Sequence, residues 1–293
     1  MGKYTFKAVF ICGLSAFGMG TQGWADSVGM NSTTVKGDFS LVDILNDNLA
    51  LNYYGIYRGS SLTNVGGALQ PLPTGELDST SPQSFENFLT VGYKINKDLM
   101  VGVLGHFNYF PASLNTEISG IQMLDPRFVV QQNNIINNGG FNLRFRCFFQ
   151  VPMSRYDSLI ANQVAMSVTP TINANYEVPN TRLTVGIYSY LRGFIPNAGA
   201  PNPPTYTVIV APNLNYQISR TVAATVWVDL VQATRRSGTG FFSGLENLPV
   251  DIEPGISWDV TSFLTINPVL NIYPGNPTLA STSLQAFIMA KAF

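Results

Sequence analysis

Along residues 205–218 apolar and polar side chains take turns. Tyr206, Val208, Val210, Pro212, Leu214, Tyr216 and Ile218 hold every second position, while Thr205, Thr207, Asn213, Asn215 and Gln217 hold most of the others. Residues 163–178 repeat the pattern, with Val164, Met166, Val168, Pro170, Ile172, Ala174 and Tyr176 set against Ser167, Thr169, Thr171, Asn173, Asn175 and Glu177. It recurs in 141–151, 251–260 and 264–273. A period of two is the mark of a β-strand with two different faces. Strands of soluble sandwiches run to five or six residues. These runs are ten residues and longer, the length that a tilted strand needs to cross a bilayer.

The same reading predicts twelve strands, at about 48–58, 85–95, 99–109, 121–132, 140–151, 162–177, 182–194, 205–218, 222–234, 247–259, 263–274 and 281–293. Every second connection is short: 96–98, 133–139, 179–181, 219–221 and 260–262. The others, including 59–84 and 235–246, are mostly longer and richer in Gly, Pro and Ser. Short turns on one side alternating with long loops on the other is the connectivity of an up-and-down barrel. The chain therefore reads as all-β, a transmembrane antiparallel up-and-down β-barrel of about 12 strands. Ten residues at about 3.3 Å each, tilted about 40–45°, cover roughly 24 Å. Tyr206 and Tyr216, ten residues apart, are thereby predicted at the two edges of an apolar band, with Tyr176 and Trp258 as further members of the aromatic girdles. Pro170, Pro212, Pro254 and Pro268 fall inside strands, where each withholds a ladder donor; a bulge at each would limit that loss.

Composition narrows the picture. Charged residues make up 11% of the chain, less than half the usual quarter, yet no stretch after the N-terminus is long and apolar enough for a membrane helix. Lys3 and Lys7, the apolar run Ala8–Gly18 and the small residues of Gly23-Trp24-Ala25 read as a secretory signal over 1–25, cleaved after Ala25. Cys12 follows Ile11, where a lipoprotein signal wants a small residue. Loss of Lys3 and Lys7 shifts the formal net charge from −1 to −3, the opposite of a nucleic-acid-binding balance. The single mature cysteine, Cys147, excludes an internal disulfide and Cys-rich metal motifs, so neither cofactor nor metal is expected. Residues 26–47 fall outside the strand pattern and read as a periplasmic lead-in or, with Phe39, Val42 and Leu45 on one face, a short plug.

From Asn48 to Phe293 the chain resembles Gram-negative outer-membrane β-barrels, and it ends as they commonly do, in phenylalanine: Ala290-Lys291-Ala292-Phe293. The resemblance implies residence in the bacterial outer membrane, contact with its lipids, and assembly by machinery that recognises Phe293. It also implies a channel for passive diffusion of small hydrophilic solutes through a narrow lumen. The competing reading is a non-conducting structural or surface-binding barrel. Outer-membrane phospholipases and proteases are similar in size and pair a histidine with serine or aspartate. His106, the only histidine, has no such partner in a local motif, so no enzyme is expected.

Strand parity sorts the charges. Arg127, Arg144, Arg146, Arg182, Arg192, Asp229, Asp251, Glu253 and His106 are predicted to line the lumen or its constriction. A turn near 136 would set Arg127, Arg144 and Arg146 at one height, with Asp125 nearby. Folding about 240 would set Asp229 beside Asp251 and Glu253 on the far wall. Two arrangements follow: a transverse field between a basic and an acidic wall, or mutual pairing that fills the lumen.

Overall fold

The computed structural model describes residues 48–111, 120–155, 158–236 and 244–291. The predicted signal, the 26–47 segment and Phe293 lie outside the described residues. The strands in chain order are β1 (Leu49–Ser61), β2 (Leu69–Pro71), β3 (Leu77–Pro82), β4 (Ser84–Lys94), β5 (Leu99–Phe110), β6 (Gly120–Met123), β7 (Arg127–Asn138), β8 (Phe141–Gln150) and β9 (Val164–Glu177). They continue as β10 (Leu183–Pro196), β11 (Tyr206–Gln217), β12 (Val222–Asp229), β13 (Val231–Arg235), β14 (Leu245–Asn247), β15 (Asp251–Asp259), β16 (Leu264–Asn271) and β17 (Ser283–Lys291).

These strands form a closed antiparallel barrel of 12 strands. Going round, β1 pairs β4, then follow β5, β7, β8, β9, β10, β11, the β12–β13 strand, β15, β16 and β17, which returns to β1. β12 and β13 are one strand interrupted at Leu230, since both pair with β11. β6 prolongs the wall beside β5, and β14 does so beside β13. β2 and β3 form a hairpin within the long loop after β1, tied to the rim where Asn276 Nδ2 donates to Pro73 O at 3.0 Å.

Parity assigns the two faces. Leu89, Val91, Val103, Phe128, Ile172, Ile187, Leu214, Ile256 and Leu284 point outward and are exposed. A continuous apolar belt of this kind far exceeds the patch a soluble surface carries, and with all ladder bonds closed on themselves it suits hydrocarbon. At the end bearing the short turns, Tyr93, Tyr176, Tyr216 and Trp258 ring the outside. At the loop end Tyr57, Phe85 and Tyr109 form an outward row across three strands, with centroids 5.0 and 6.3 Å apart. Tyr206 departs from its predicted girdle role. It is only 3% exposed, buried with Leu159, Val164 and Phe194, and the Arg235 guanidinium lies over its ring at 5.7 Å. The helical turn Ser158–Ala161 supplies Leu159 to cover it.

Three further expectations change. The predicted turn at 133–139 is strand: β7 continues to Asn138 through a bulge between Gln132 and Ile136, and the chain reverses at Gly139 and Gly140, φ 59° and 83°. Arg182 lies in the β9–β10 turn, exposed, donating to Ile218 O at 3.1 Å, and so stands at the rim outside the lumen. Only Pro212 adjoins a bulge, where Ala211 and Pro212 face Val228, Asp229 and the extra residue Leu230. Pro170 interrupts its ladder to β10 without a slip, and Pro254 and Pro268 run in register.

Candidate functional site

The lumen is filled at mid-height. Inward side chains from both walls meet in one buried cluster: Tyr54, Ile56, Phe88, Leu104 and Phe287 from β17, β1, β4 and β5, and Tyr188, Tyr190, Ile209 and Trp227 from β10, β11 and β12. Tyr54 stacks on Phe88 at 5.7 Å and on Phe287 at 6.2 Å; Tyr188 meets Trp227 edge-on at 6.4 Å. A twelve-strand barrel has a backbone radius of about 12 Å, and large rings reaching in from opposite sides close most of that width.

A chain of charged groups runs along the wall beside this cluster. Arg58 Nη2 donates to Glu86 Oε2 at 2.9 Å, and Glu86 Oε1 lies 2.9 Å from His106 Nε2. Arg127 Nη2 lies 3.3 Å from His106 Nδ1. A guanidinium only donates and a carboxylate only accepts, so the arrangement is satisfied by a neutral imidazole with its proton on Nε2. The ring also stacks on Phe88 at 4.3 Å. With both nitrogens engaged, neither is placed to act as a base toward a hydroxyl. Further round, Arg192 donates to Gln150 Oε1 at 2.7 Å and to Ser167 Oγ at 3.0 Å. Asp125, fully buried, accepts from the amides of Met153 and Ser154 and so ties the loop after β8 to the wall.

The acidic residues stand side by side: Asp229 pairs with Asp251 across β12–β15, and Glu253 pairs with Trp227. Asn271 donates to Asp251 at 2.8 Å. Arg58 is the cation that interacts electrostatically with all three. Arg58 and Glu86 are thus central, although β1 hides the inward parity of Arg58: Tyr53 and Tyr54 make both faces of that strand aromatic. The three arginines predicted at one height are separated. Arg127 pairs with Gln150, whereas Arg146 pairs with Gln131, four residues away along the strand or about 13 Å. The cause is the later turn, at Gly139 and Gly140, and the β7 bulge offsets two residues of the shift.

Arg144 and Arg146 belong to a vestibule at the short-turn end. This cavity of about 290 Å³ is walled by Asn52, Thr90, Gln131, Asn133, Arg144, Arg146 and Lys291 and floored by Tyr54, Phe88, Met100, Leu104, Phe148 and Met289. The bulge shapes its rim. Asn134, at φ 51°, donates to Asp98 Oδ1 at 2.8 Å, and Asn142 donates back to Asn134 Oδ1 at 2.8 Å.

On the opposite half, β9 to β16 present a polar strip of Thr171, Asn173, Asn213, Thr225 and Asn267, all buried. Thr171 Oγ1, Asn213 Nδ2, Thr225 Oγ1, both side-chain polar atoms of Asn267 and the Tyr190 hydroxyl have no hydrogen-bond partner among the described residues.

No protein-family model and no curated protein matches the chain. Among solved structures it is similar to an outer membrane channel from Pseudomonas putida F1, with a TM-score of 0.50 at 9% identity over 84% of this chain and 95% of that one. The NanC porin aligns at a TM-score of 0.44 and 10% identity, over 83% of this chain and 100% of that one. The outer membrane phospholipase A of Escherichia coli aligns at 0.40 and 9%, over 84% and 90%. At these identities the likeness is one of fold, and only the first is close enough in shape to carry weight.

Proposed function

We propose that this protein is an outer-membrane channel through which small hydrophilic solutes diffuse along a narrow, amide-lined path beside the aromatic cluster. Lipid covers the apolar exterior, and the assembly machinery reads Phe293. The supporting observation is the set of unpartnered polar atoms on Thr171, Asn213, Thr225 and Asn267. Buried polar groups in a packed interior are nearly always satisfied; a row of them across four strands suits a lumen whose partners are passing molecules. The Pseudomonas putida neighbour, an outer membrane channel, has the same architecture. On this reading Arg127, Arg192, His106, Asp229, Asp251 and Glu253 give the lumen its charge through pairing along the wall rather than through two opposed walls.

The filled cross-section favours a second reading, a non-conducting barrel. Refolded protein in planar bilayers separates the two. The channel reading expects small stepwise conductance, raised by the double substitution Tyr54→Ala/Phe287→Ala and lowered by Asn213→Leu, which removes a polar atom from the path. Heat-modifiable migration on gels verifies folding. A folded double variant that stays silent overturns the channel in favour of the closed barrel. Wild-type conductance as large as that of a wide porin overturns the closure at mid-height.

A further inference from the structure

The vestibule has the chemistry of a binding site, and we infer that it holds a small organic anion with an apolar body, such as a short-chain alkanoate. Three features carry this. First, Arg144, Arg146 and Lys291 bring three positive charges to its wall, and no carboxylate side chain is among the described residues lining it. The guanidiniums are aimed by neutral amides: Arg146 Nε donates to Gln131 Oε1 at 2.8 Å, Arg144 Nε to Asn142 Oδ1 at 3.3 Å. A carboxylate entering here meets donors already held in place, and bidentate guanidinium contacts are the strongest it can make. Second, the floor is apolar and already packed: Phe88, Met100, Leu104, Phe148 and Met289 are each buried beneath the cavity, and Arg146 lies over the Phe148 ring at 5.5 Å. Charge above and hydrocarbon below select a ligand divided the same way. Third, the volume of about 290 Å³ sits at the lower edge of the roughly 300–1,000 Å³ range of small-molecule pockets, which sets the size of the guest.

The pocket exists because of the β7 bulge. Between Gln132 and Ile136 the strand carries two residues more than β8 does, and Arg144 is the β8 residue that faces the excess. Asn133 N donates to Asp98 O at 2.7 Å, which ties the extra length to the β4–β5 turn, and Asn133 and Asn134 line the cavity. The even excess keeps Gln132 and Ile136 facing outward on either side of the bulge. Such bulges act as built features that re-aim a side chain.

Binding does not require conduction, so the test stands apart from the channel reading. Full-length mature protein in lipid nanodiscs is titrated calorimetrically with hexanoate, hexylammonium, hexanol and acetate, with empty nanodiscs as blank. Saturable hexanoate binding is expected, at least tenfold tighter than any of the other three. The triple substitution Arg144→Gln/Arg146→Gln/Lys291→Gln should weaken it at least tenfold with heat-modifiable migration intact. The single substitution Val129→Phe, which fills the floor, should weaken hexanoate while leaving those cations in place. Acetate binding as tightly as hexanoate removes the role of the floor, and hexylammonium binding as tightly removes that of the charges. An unchanged triple variant, or no saturable binding by the folded wild type, overturns the site itself. Silent bilayers with intact binding sink the channel and leave the site.

Discussion

Replacing Glu86 by glutamine tests whether the lumenal charges act as a paired chain. The carboxylate accepts from Arg58 at 2.9 Å and contacts His106 at 2.9 Å, with its side chain 13% exposed and that of Arg58 25% exposed. Removing one partner of a buried pair costs about 3–5 kcal/mol, because the other charge stays uncompensated. The partial exposure of Arg58 argues for the lower end, and the nearby Asp229, Asp251 and Glu253 still attract it. Glutamine retains the shape and one acceptor, so the expected loss is about 3 kcal/mol. Arg58→Met should cost at least as much, since it leaves the more deeply buried Glu86 without its counter-charge. Urea unfolding in lipid vesicles measures both, with Trp227 inside and Trp258 outside as fluorescent reporters. A Glu86→Gln loss below about 0.5 kcal/mol, or a Glu86→Gln loss exceeding that of Arg58→Met, refutes the paired chain and the central place of Arg58.

Two smaller perturbations probe the wall. Asn87 sits on the lipid-facing side of β4, and its Oδ1 accepts from the Tyr53 hydroxyl at 2.7 Å; Tyr53→Phe should destabilise the barrel by about 1–3 kcal/mol. Adding Asn87→Leu should return most of the loss, as the same urea titration would read, and a double variant no more stable than the single would contradict it. Gly102 pairs with Gly92, and a Cβ at 102 would lie 2.5 Å from Val91 O and 2.8 Å from Gly92 Cα. Backbone cannot yield as a side chain does, so Gly102→Val should cost about 1–3 kcal/mol and lower the folded yield on gels; Gly105→Val, whose added Cβ has only Leu89 O within range at 3.8 Å, serves as the tolerated control.

Where one face of a strand is clearly polar, the sequence is enough to place it. The inward sets of β8, β9, β11, β15 and β16 follow from parity alone, because Arg144, Asn173, Asn213, Glu253 and Asn267 alternate with apolar neighbours. The pairing of Asp229 with Asp251 followed from parity and one loop. Parity fails on β1, where aromatic side chains occupy both faces, and so Arg58 stayed hidden. It also fails at irregularities. A bulge preserves the hydrophobic pattern when its excess is even, as at Asn133–Ile135; the pattern then gives no sign that every residue beyond it has changed height. Arg127 parted from Arg144 and Arg146 because the chain reverses at Gly139 and Gly140 rather than near 136, a shift that the bulge only partly offsets. Tyr206 was misplaced for a third reason: the turn that buries it, around Leu159, lies nearly fifty residues away, and no local pattern reports a cover.

The vestibule and the filled lumen follow from a common constraint. Outward positions must be apolar at every second residue of every strand, so variation between barrels of equal strand number is confined to the inward residues and to ladder defects. Here the inward residues put rings on β17, β1, β4, β10 and β12, and amides and hydroxyls on β9, β11 and β16. Defects then break what symmetry remains. The Leu230 insertion, whose amide donates to Val210 O, shifts the β12–β13 strand by one residue just beyond Asp229, and the β7 bulge adds two residues beside Arg144. In a closed sheet without free edges, a local excess of residues is the means left for altering lumen shape while keeping the lipid face intact. Regular parity therefore explains how the chain sits in a bilayer, and two of the departures from regular register, at Leu230 and at Asn133–Ile135, lie beside charged residues of the interior.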